Sequence, residues 1–295
     1  MNRHEGKKLS GICWYGIGGK ARYYAQPQSV EEMRDHLVWA RGEGLPVFML
    51  GHGSNVLFDD EGFDGLVVGT KSLSGFRERE KGIVEAEVGQ HLAKLVGNVN
   101  DLGLQGLETF VGIPGTVGGA VYGNAGASSG GIGDADLVSE VLLIEPSGTM
   151  EWVDGRDLPW CYRDSGIGDR VVARVRIRLQ PDVDPETLRK ESARLLEKKI
   201  ETQPFELRTC GCIFKNPTGM SAGRMIDECG LKGLQIGAAR ISTIHANFIE
   251  NVDAKATSDE IRCLIDRMRE KVRAQHGVEL EHEVILASTR GERTQ

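Results

Sequence analysis

Glycine is unusually frequent in this chain and does not follow a repeat. The sequence contains 39 glycines among 295 residues, about 13%, against ~7% in ordinary proteins. There is no Gly-X-Y period and there are only nine prolines, so a collagen-like chain and a low-complexity linker are excluded. Eleven of the glycines fall within 103–133, where apolar periodicity is weak. Because glycine allows tight turns and close approach of the backbone to a ligand, this pattern predicts a loop-built cofactor site.

Composition and charge exclude several classes of protein. Apolar residues make up 40% of the chain and charged residues 27%, so wholesale disorder is excluded. No apolar run approaches the ~18–20 residues of a membrane-spanning helix. The net charge of −7 argues against general nucleic-acid binding but allows a small anionic ligand. The polar start of the sequence lacks the apolar stretch of a secretory signal, so we expect a cytoplasmic monomer without a membrane or nucleic-acid partner.

The cysteines are expected to be reduced thiols. No two of them form a CxxC pair, and nothing at the start of the sequence suggests an oxidising compartment. The six are Cys13, Cys161, Cys210, Cys212, Cys229 and Cys263. A zinc ion shared by Cys210, Cys212 and a later histidine would need a spacing that known fingers and ribbons do not have, so no metal site is predicted.

Local patterns predict helices and strands in an order without strict alternation, which favours the α+β class. Capping residues and apolar spacing predict helices over 29–42, 92–103, 184–201 and 222–230, and from 257 onward. Apolar runs and alternation predict strands over 46–50, 65–69, 83–88, 140–144, 150–153, 171–179 and 278–286. In the strand over 171–179, Arg174, Arg176 and Arg178 are expected on a solvated face rather than in a substrate patch.

A long polar helix that begins at Asp184 and Pro185 divides the chain. We predict an N-terminal α+β region over 1–185, with subdomains of about 1–70 and 71–185, followed by a helical linker over 186–205. The remainder, 206–295, has its own helices and strands and is expected to form a smaller C-terminal domain.

Three glycine-rich segments could hold a nucleotide: GIGGKA at 16–21, GHGSNV at 51–56 and GIPGTVGGAVYGNAGA at 112–127. None of them is a G-x-G-x-x-G after a strand, and none is a G-x-x-x-x-G-K-S/T, so a Rossmann site and a P-loop are both disfavoured. Backbone N–H groups in such loops can nevertheless converge on one concavity, which suits a pyrophosphate.

The order of the longer motifs carries a family resemblance. The chain has GHGSNVLFDDEGFDGLVV at 51–68, GLETFVGIPGTVGGAVYGNAGA at 106–127, YRDS at 162–165, GCIFKNP at 211–217, AGRMIDECGLKGLQIGAARIS at 222–242 and, near its end, HANFIEN and HEV. This series closely resembles the UDP-N-acetylenolpyruvoylglucosamine reductases, the MurB family, from about residue 14 to 287. GIPGT-x-GGA alone is shared by a broad superfamily of FAD enzymes, whereas the later motifs are more specific.

The resemblance implies an α+β flavoenzyme with an FAD-binding domain of the vanillyl-alcohol-oxidase (PCMH) type and a smaller C-terminal α+β substrate domain. In the family reaction NADPH reduces FAD, and the hydride then passes to the enolpyruvyl group of a UDP-sugar to give UDP-N-acetylmuramate for peptidoglycan synthesis. The residues it implies for FAD binding are Gly51, Gly53, Ser54, Asn55, Gly115, Thr116, Gly118, Gly119, Ala120 and Asn124.

By motif, Arg163, Cys212 and Glu283 match the family's catalytic positions. Hydride addition leaves enolate character beside a carboxylate, so the site needs a cation and a proton donor. The resemblance implies that Arg163 stabilises the enolate, that Cys212 donates the proton and that Glu283 assists. Without it, Glu283 would be expected on the solvated face of the predicted terminal strand. The implied substrate contacts are Tyr162, Lys215, Asn216, Lys232, His245 and Asn247.

Cys212 is a departure, because the family usually has serine at this position. A thiol, with a reference pKa near 8.5, is intrinsically a better acid than a hydroxyl, so the donor role is retained. The alternative is an inert buried cysteine, and the neighbouring Cys210 could be mistaken for the donor. Only 49 positions separate Arg163 from Cys212, which leaves no room for an extra tyrosine-bearing loop, so the chain resembles the shorter second type. A lysine present in some relatives is also missing, and Lys198 or Lys199 could compensate.

Two other functions stay open on the sequence. One is another FAD-dependent oxidoreductase of the same superfamily, acting on an alcohol or sugar lactone. The other is a non-catalytic nucleotide-binding protein descended from the enzyme, in which the change from serine to cysteine would indicate that activity has been lost.

Overall fold

The computed structural model describes residues 2–127, 130–134, 136–288 and 293–294. The chain forms two compact units, each built from separate stretches of sequence. The first unit comprises Met1–Arg3, Ala25–His52 and Val67–Lys199, and the second comprises His4–Tyr24, Gly53–Leu66 and Ile200–Gln295. The division predicted from the sequence (1–185, 186–205 and 206–295) follows the chain continuously, whereas these units do not.

The helices of the described residues are α1 Val30–Gly42, α2 Leu92–Asp101, α3 Val117–Tyr122, α4 Pro185–Thr202, α5 Ala222–Glu228 and α6 Ser258–His276. All but α3 begin and end close to where capping residues predict, whereas no helix is predicted at α3, within the glycine-rich stretch. At α6 both bonds of the predicted capping box between Thr257 and Glu260 are present. At α1 the Ser29 hydroxyl caps as predicted, but the Glu32 carboxylate accepts from the N–H of Gln28. No helix in the described part of the chain is both long and apolar enough to cross a membrane.

The strands are mostly short. They are β1 His4–Lys8, β2 Lys20–Ala25, β3 Val47–Leu50, β4 Val56–Phe58, β5 Phe63–Gly69, β6 Phe76–Glu80, β7 Ile83–Glu87, β8 Gly126–Ala127, β9 Gly130–Gly131, β10 Val138–Ile144, β11 Met150–Asp154, β12 Val171–Arg178, β13 Gln235–Ile236, β14 Ala239–Ile241, β15 Ile249–Asn251, β16 Ile285–Ala287 and β17 Arg293–Thr294.

The first unit is organised around an antiparallel sheet with the order β11-β10-β12-β7-β6. One face of the sheet buries apolar residues such as Val84 and Val175. On the other face, Arg176 lies 3.1 Å from the Glu85 carboxylate, which is only 4% exposed, and Arg174 lies 3.5 Å from Glu87. The predicted alternation of the arginines with buried apolar residues is confirmed, and on the partly exposed face Arg174 and Arg176 form ion pairs with glutamates of the adjacent strand.

The second unit has its core between α6 and the small sheet β13-β14-β15. Apolar residues of α6, including Leu264 and Met268, are fully buried there with Ile241 and Ile249 of the sheet. A further sheet with the order β17-β16-β4 contains one parallel pair, in which Leu286 lies opposite Leu57. The second unit therefore holds its 53–66 segment through backbone pairing.

The strand predicted over 278–286 is wrong for most of its length. Only Ile285–Ala287 forms a strand, and it pairs in parallel with β4. Immediately before it, the N–H groups of Glu283 and Val284 both donate to the carbonyl of Ile213, at 2.8 and 3.3 Å. Because two successive N–H groups share one acceptor, the regular ladder that the alternation predicts cannot continue through this point.

Candidate active site

In the first unit, the predicted cofactor loop Gly115–Ala120 packs closely against its surroundings at two glycines, Gly118 within the loop and Gly51 beside it. The N–H of Gly118 donates to the Val88 carbonyl at 2.9 Å, and a Cβ at Gly118 would meet the same oxygen at 2.9 Å and collide with the Val88 side chain. A Cβ at Gly51 would lie 2.7 Å from the Thr116 hydroxyl. Side chains are therefore excluded at Gly51 and Gly118, and the fixed backbone of this glycine-rich loop fits a cofactor bound through backbone groups.

Asn124 ties together the segments that follow this loop. Its side-chain amide accepts from the N–H of Gly133 at 3.0 Å and donates to the Cys161 carbonyl at 2.9 Å, and the residue is 1% exposed. Its φ of +37° is unusual for a residue with a side chain. The position predicted to bind FAD therefore also fixes the start of the turn that carries Arg163.

Arg163 lies at the tip of a tight turn between Cys161 and Asp164. The two flanking residues exchange both backbone bonds, at 2.9 and 3.1 Å. Arg163 itself has a φ of +63°, a left-handed conformation that costs a non-glycine residue roughly 1–2 kcal/mol. Its guanidinium donates to the Gly126 carbonyl at 3.3 Å and lies 5.1 Å from the centre of the Tyr162 ring. The strain is typical of a functional site, where the surrounding structure fixes one side chain in place.

Lys199 bonds the backbone of the segment that leads into the glycine loop. Its ammonium group donates to the carbonyls of Thr109 and Val111, at 2.9 and 2.6 Å, and burial lowers its pKa. Both carbonyls come just before the predicted cofactor loop. Lys199 therefore has a role inside the first unit, and compensation for the lysine of other relatives stays a prediction.

A histidine pair beside the loop was missed by sequence reasoning. The rings of His52 and His91 are 4.6 Å apart, and His91 is bridged to Thr116 through the backbone. Burial, with a smaller contribution from His91, lowers the pKa of His52 to about 4. His52 stands between two glycines of the predicted cofactor turn, and that position was the only sequence signal.

The lowered pKa of His52 predicts that acid weakens the fold. Between about pH 6.5 and 4 the unfolded chain binds a proton at His52 that the folded chain does not, so stability is lost as the pH falls through this window. We expect a loss on the order of 1–2 kcal/mol after allowing for partial exposure. Urea unfolding of wild type and H52Q at pH 7 and 5 measures it. The pH dependence should be weaker in H52Q but not in H4Q, whose histidine is exposed in β1; equal slopes in all three proteins would contradict the assignment.

In the second unit, the backbone brings Cys212 and Glu283 onto neighbouring segments. The Glu283 N–H donates to the Ile213 carbonyl at 2.8 Å, and the Lys215 N–H donates to the Glu281 carbonyl at 2.9 Å. Cys212 directly precedes Ile213, so two residues predicted as catalytic from separate motifs come together here. Both side chains are partly exposed.

The turn at Gly53–Asn55, predicted to bind FAD, lies beside the same segments. The Asn55 amide donates to the Glu283 carbonyl at 3.2 Å. A Cβ at Gly211 would lie 3.9 Å from both the Asn55 side-chain oxygen and the Ser54 carbonyl. At Gly53, φ is +66° and a Cβ would be 2.7 Å from Cys13 Cα, so only glycine fits. The segments that carry a predicted cofactor turn, the Cys212 thiol and the Glu283 carboxylate are therefore neighbours within one unit.

Comparison with known proteins shows the family to which this chain belongs. A model of the UDP-N-acetylenolpyruvoylglucosamine reductase C-terminal domain matches residues 203–287, and an FAD binding domain model matches residues 21–154. The UDP-N-acetylenolpyruvoylglucosamine reductase of Synechococcus sp. (strain RCC307) is 39% identical over 97% of this chain and 94% of its own. That of Parasynechococcus marenigrum (strain WH8102) is 40% identical over 94% and 93%. The chain belongs to the UDP-N-acetylenolpyruvoylglucosamine reductase family.

Solved structures agree with this assignment. The UDP-N-acetylenolpyruvylglucosamine reductase of Thermus caldophilus covers 97% of this chain and 98% of its own, with a TM-score of 0.80 and 32% identity. A variant of berberine bridge enzyme covers 62% of this chain with a TM-score of 0.51 and 16% identity, which shows the fold alone. The predicted α+β fold with an FAD-binding domain and a C-terminal domain is confirmed, as are FAD as cofactor and NADPH as hydride donor.

The residues predicted to contact the UDP-sugar are divided between the units. Tyr162 is half exposed in the first unit. In the second, Asn216 accepts from the Ala222 N–H at 3.0 Å, Lys215 lies 4.0 Å from the Glu281 carboxylate and Lys232 lies 2.8 Å from Asp227. Each lysine therefore already has a carboxylate of the second unit within 4.0 Å.

Two further predicted contacts, His245 and Asn247, have partners inside the second unit. His245 accepts from the Asn247 N–H at 3.2 Å, and burial lowers its pKa, so the ring is neutral at physiological pH. Asn247 is 2% exposed, and its side-chain amide bonds the backbone of Phe214.

The two neighbouring cysteines of this family member differ in environment. Cys210 is fully buried, and burial raises the pKa of its thiol to about 12. A fully buried thiol that holds its proton this tightly is poorly placed to reach a ligand, which disfavours Cys210 as the proton donor. Cys212 is partly exposed.

This difference predicts selective alkylation. With iodoacetamide at pH 8, Cys212 should be labelled at least about tenfold faster than Cys210, because Cys210 is buried and remains protonated. Peptide-resolved mass spectrometry over a time course measures both sites. The exposed Cys161 and Cys263 serve as reactive internal references. Labelling of Cys210 at the rate of Cys161 in the folded protein would contradict the assignment.

Proposed function

We propose that Cys212 is the proton donor in the reaction of this family, the reduction of UDP-N-acetylglucosamine enolpyruvate to UDP-N-acetylmuramate. FAD, when bound, accepts a hydride from NADPH and supplies it to the enolpyruvyl double bond. The observation that carries the proposal is the pairing of the Cys212 segment with Glu283, supported by the Glu283 N–H donating to the Ile213 carbonyl at 2.8 Å.

Cys212 and Glu283 supply the proton. After hydride addition at the vinyl carbon, the neighbouring carbon needs a proton, so the S–H bond of Cys212 breaks as the new C–H bond forms. The thiolate left behind is reprotonated from solvent with the assistance of Glu283. A thiol suits this step because its reference pKa, near 8.5, keeps the proton on sulfur at neutral pH and still releases it more readily than a hydroxyl does.

Arg163 supplies the positive charge. Its planar guanidinium can bind the substrate carboxylate through two parallel hydrogen bonds and stabilise the negative charge that develops beside it. The left-handed turn at Arg163 and its bond to the Gly126 carbonyl support this role, because they restrict where the guanidinium can lie.

The remaining proposed roles are the binding of FAD and of the UDP-sugar. FAD would be held by the turn at 51–55 and the loop at 115–120, with Asn124 supporting the latter. The UDP-sugar would be bound by Tyr162, Lys215, Asn216, Lys232 and His245. Action as a monomer in the cytoplasm stays a prediction.

An anaerobic two-step experiment tests the function. NADPH should bleach the flavin absorbance of the purified protein, and UDP-N-acetylglucosamine enolpyruvate should then restore it within the turnover time. An alcohol or a sugar lactone, added without NADPH to the protein with oxidised flavin, serves as the control for other oxidoreductases of the superfamily and should leave the flavin oxidised. Failure of the enolpyruvyl substrate to restore the absorbance would overturn the proposal.

A further inference from the structure

Asn247 holds the segment that carries Cys212. Its side-chain oxygen accepts from the Phe214 N–H at 3.0 Å, and its side-chain N–H donates to the Phe214 carbonyl at 2.8 Å. Its backbone carbonyl accepts from the Ile213 N–H at 2.8 Å. Asn247 thus makes three hydrogen bonds to the two residues that follow Cys212.

The same segment is held on a second side by the chain around Glu283. The Ile213 carbonyl accepts from Glu283, and the Lys215 N–H donates to the Glu281 carbonyl. The peptide groups after Cys212 are therefore fixed both by Asn247 and by the segment that carries the proposed partner Glu283. A shift of this segment would move Cys212 relative to Glu283.

Burial makes the bonds of Asn247 hard to replace. The residue is 2% exposed and Phe214 is fully buried, so water cannot take over the two bonds if the amide is removed. An amide that already bonds both polar groups of one buried residue is also poorly placed to read a substrate. The geometry therefore favours an indirect role over the substrate contact predicted from the motif.

We propose that Asn247 is a positioning residue for the proton donor: it fixes the backbone after Cys212 and so keeps the segment that carries the thiol in place against the segment that carries Glu283. The proposal rests on the proposed function of Cys212. Misplacement of a reacting group by ~1 Å costs about a hundredfold in rate, so loss of this clamp should slow proton delivery without weakening substrate binding.

The test separates the two half-reactions. For N247A we expect NADPH to reduce the flavin at the wild-type rate, and the limiting rate of flavin reoxidation by the substrate to fall about ten- to a hundredfold. The substrate concentration for half-maximal reoxidation should stay within about twofold of wild type, because Asn247 is not a ligand. Stopped-flow absorbance over a range of substrate concentrations gives all three quantities.

Asn251 provides a matched control in the same unit. It is 4% exposed, and its amide likewise makes two backbone bonds of 2.8 Å, to the Tyr15 carbonyl and from the Ala256 N–H. N251A removes an equivalent pair of bonds and should reoxidise like wild type. If N247A does not fold, N247D is used instead; it keeps the volume and the acceptor for Phe214 but loses the donor, and the same slowing is expected.

The outcomes distinguish this proposal from the proposed function. Weaker substrate binding in N247A with an unchanged limiting rate would overturn the positioning role, and so would equal slowing in N251A. C212A is measured alongside: if it reoxidises normally, the proposed function fails. If C212A is slow while N247A behaves like wild type, only the inference about Asn247 fails.

Discussion

Replacing Cys212 with alanine is expected to slow flavin reoxidation by the substrate by roughly 10²–10⁴-fold, the range that loss of a general acid usually costs. Reduction by NADPH should be unaffected, because Cys212 enters only when a proton must reach the substrate carbon. Anaerobic stopped-flow measurement of each half-reaction tests this directly. The enzyme should therefore accumulate with reduced flavin in the presence of both substrates.

C212S is the matched variant, because a hydroxyl keeps the size and the proton of the side chain. We expect its rate of flavin reoxidation by the substrate to stay within about tenfold of wild type. Treatment with iodoacetamide should no longer slow this step. C210S, at the fully buried neighbour, should leave both half-reactions intact if the protein folds. Normal reoxidation in C212A would contradict the role of Cys212 as proton donor. A C212S variant as slow as C212A would show that a hydroxyl cannot replace the thiol in this role.

Elements whose ends are marked by local chemistry could be predicted from the sequence. The α6 helix begins with the Thr257–Glu260 capping box and is followed by Gly277 at a φ of +69°, and both signals lie within a few residues of the helix. The motifs predicted to be catalytic are similarly local, so Cys212 and Glu283 could each be proposed from its own motif. Neither motif indicates that the two meet, since that depends on pairing between Ile213 and Glu283, 70 positions apart.

Features that depend on distant partners could not be predicted. The alternation over 278–286 predicts a strand, but a strand also requires a continuous partner, and the N–H groups of Glu283 and Val284 share one carbonyl instead. Asn247 was assigned to the substrate from its motif, whereas its amide bonds Phe214, 33 positions away. Sequence patterns indicate which residues matter but not which buried polar group each of them satisfies.

Gly118→Ala is expected to abolish retention of FAD. A Cβ at this position would collide with the Val88 side chain and lie 2.9 Å from the Val88 carbonyl, and Val88 is stiff because it is β-branched. The loop could accept the methyl group only by moving away from Val88, which breaks the Gly118 N–H bond to that carbonyl. We expect the purified variant to be colourless, or to bind added FAD at least about a hundredfold more weakly, because FAD recognition through backbone groups depends on their fixed positions.

Gly97→Ala is the control, within α2 and outside the residues predicted to bind FAD. A Cβ at Gly97 would meet nothing within 4 Å. Since alanine is a better helix former than glycine, this variant should fold at least as stably as wild type and remain yellow. Flavin absorbance after gel filtration, together with thermal unfolding of both variants, separates loss of the cofactor from loss of the fold. A yellow G118A, or a G97A as colourless as G118A, would show that close packing against Val88 does not set the position of the flavin loop.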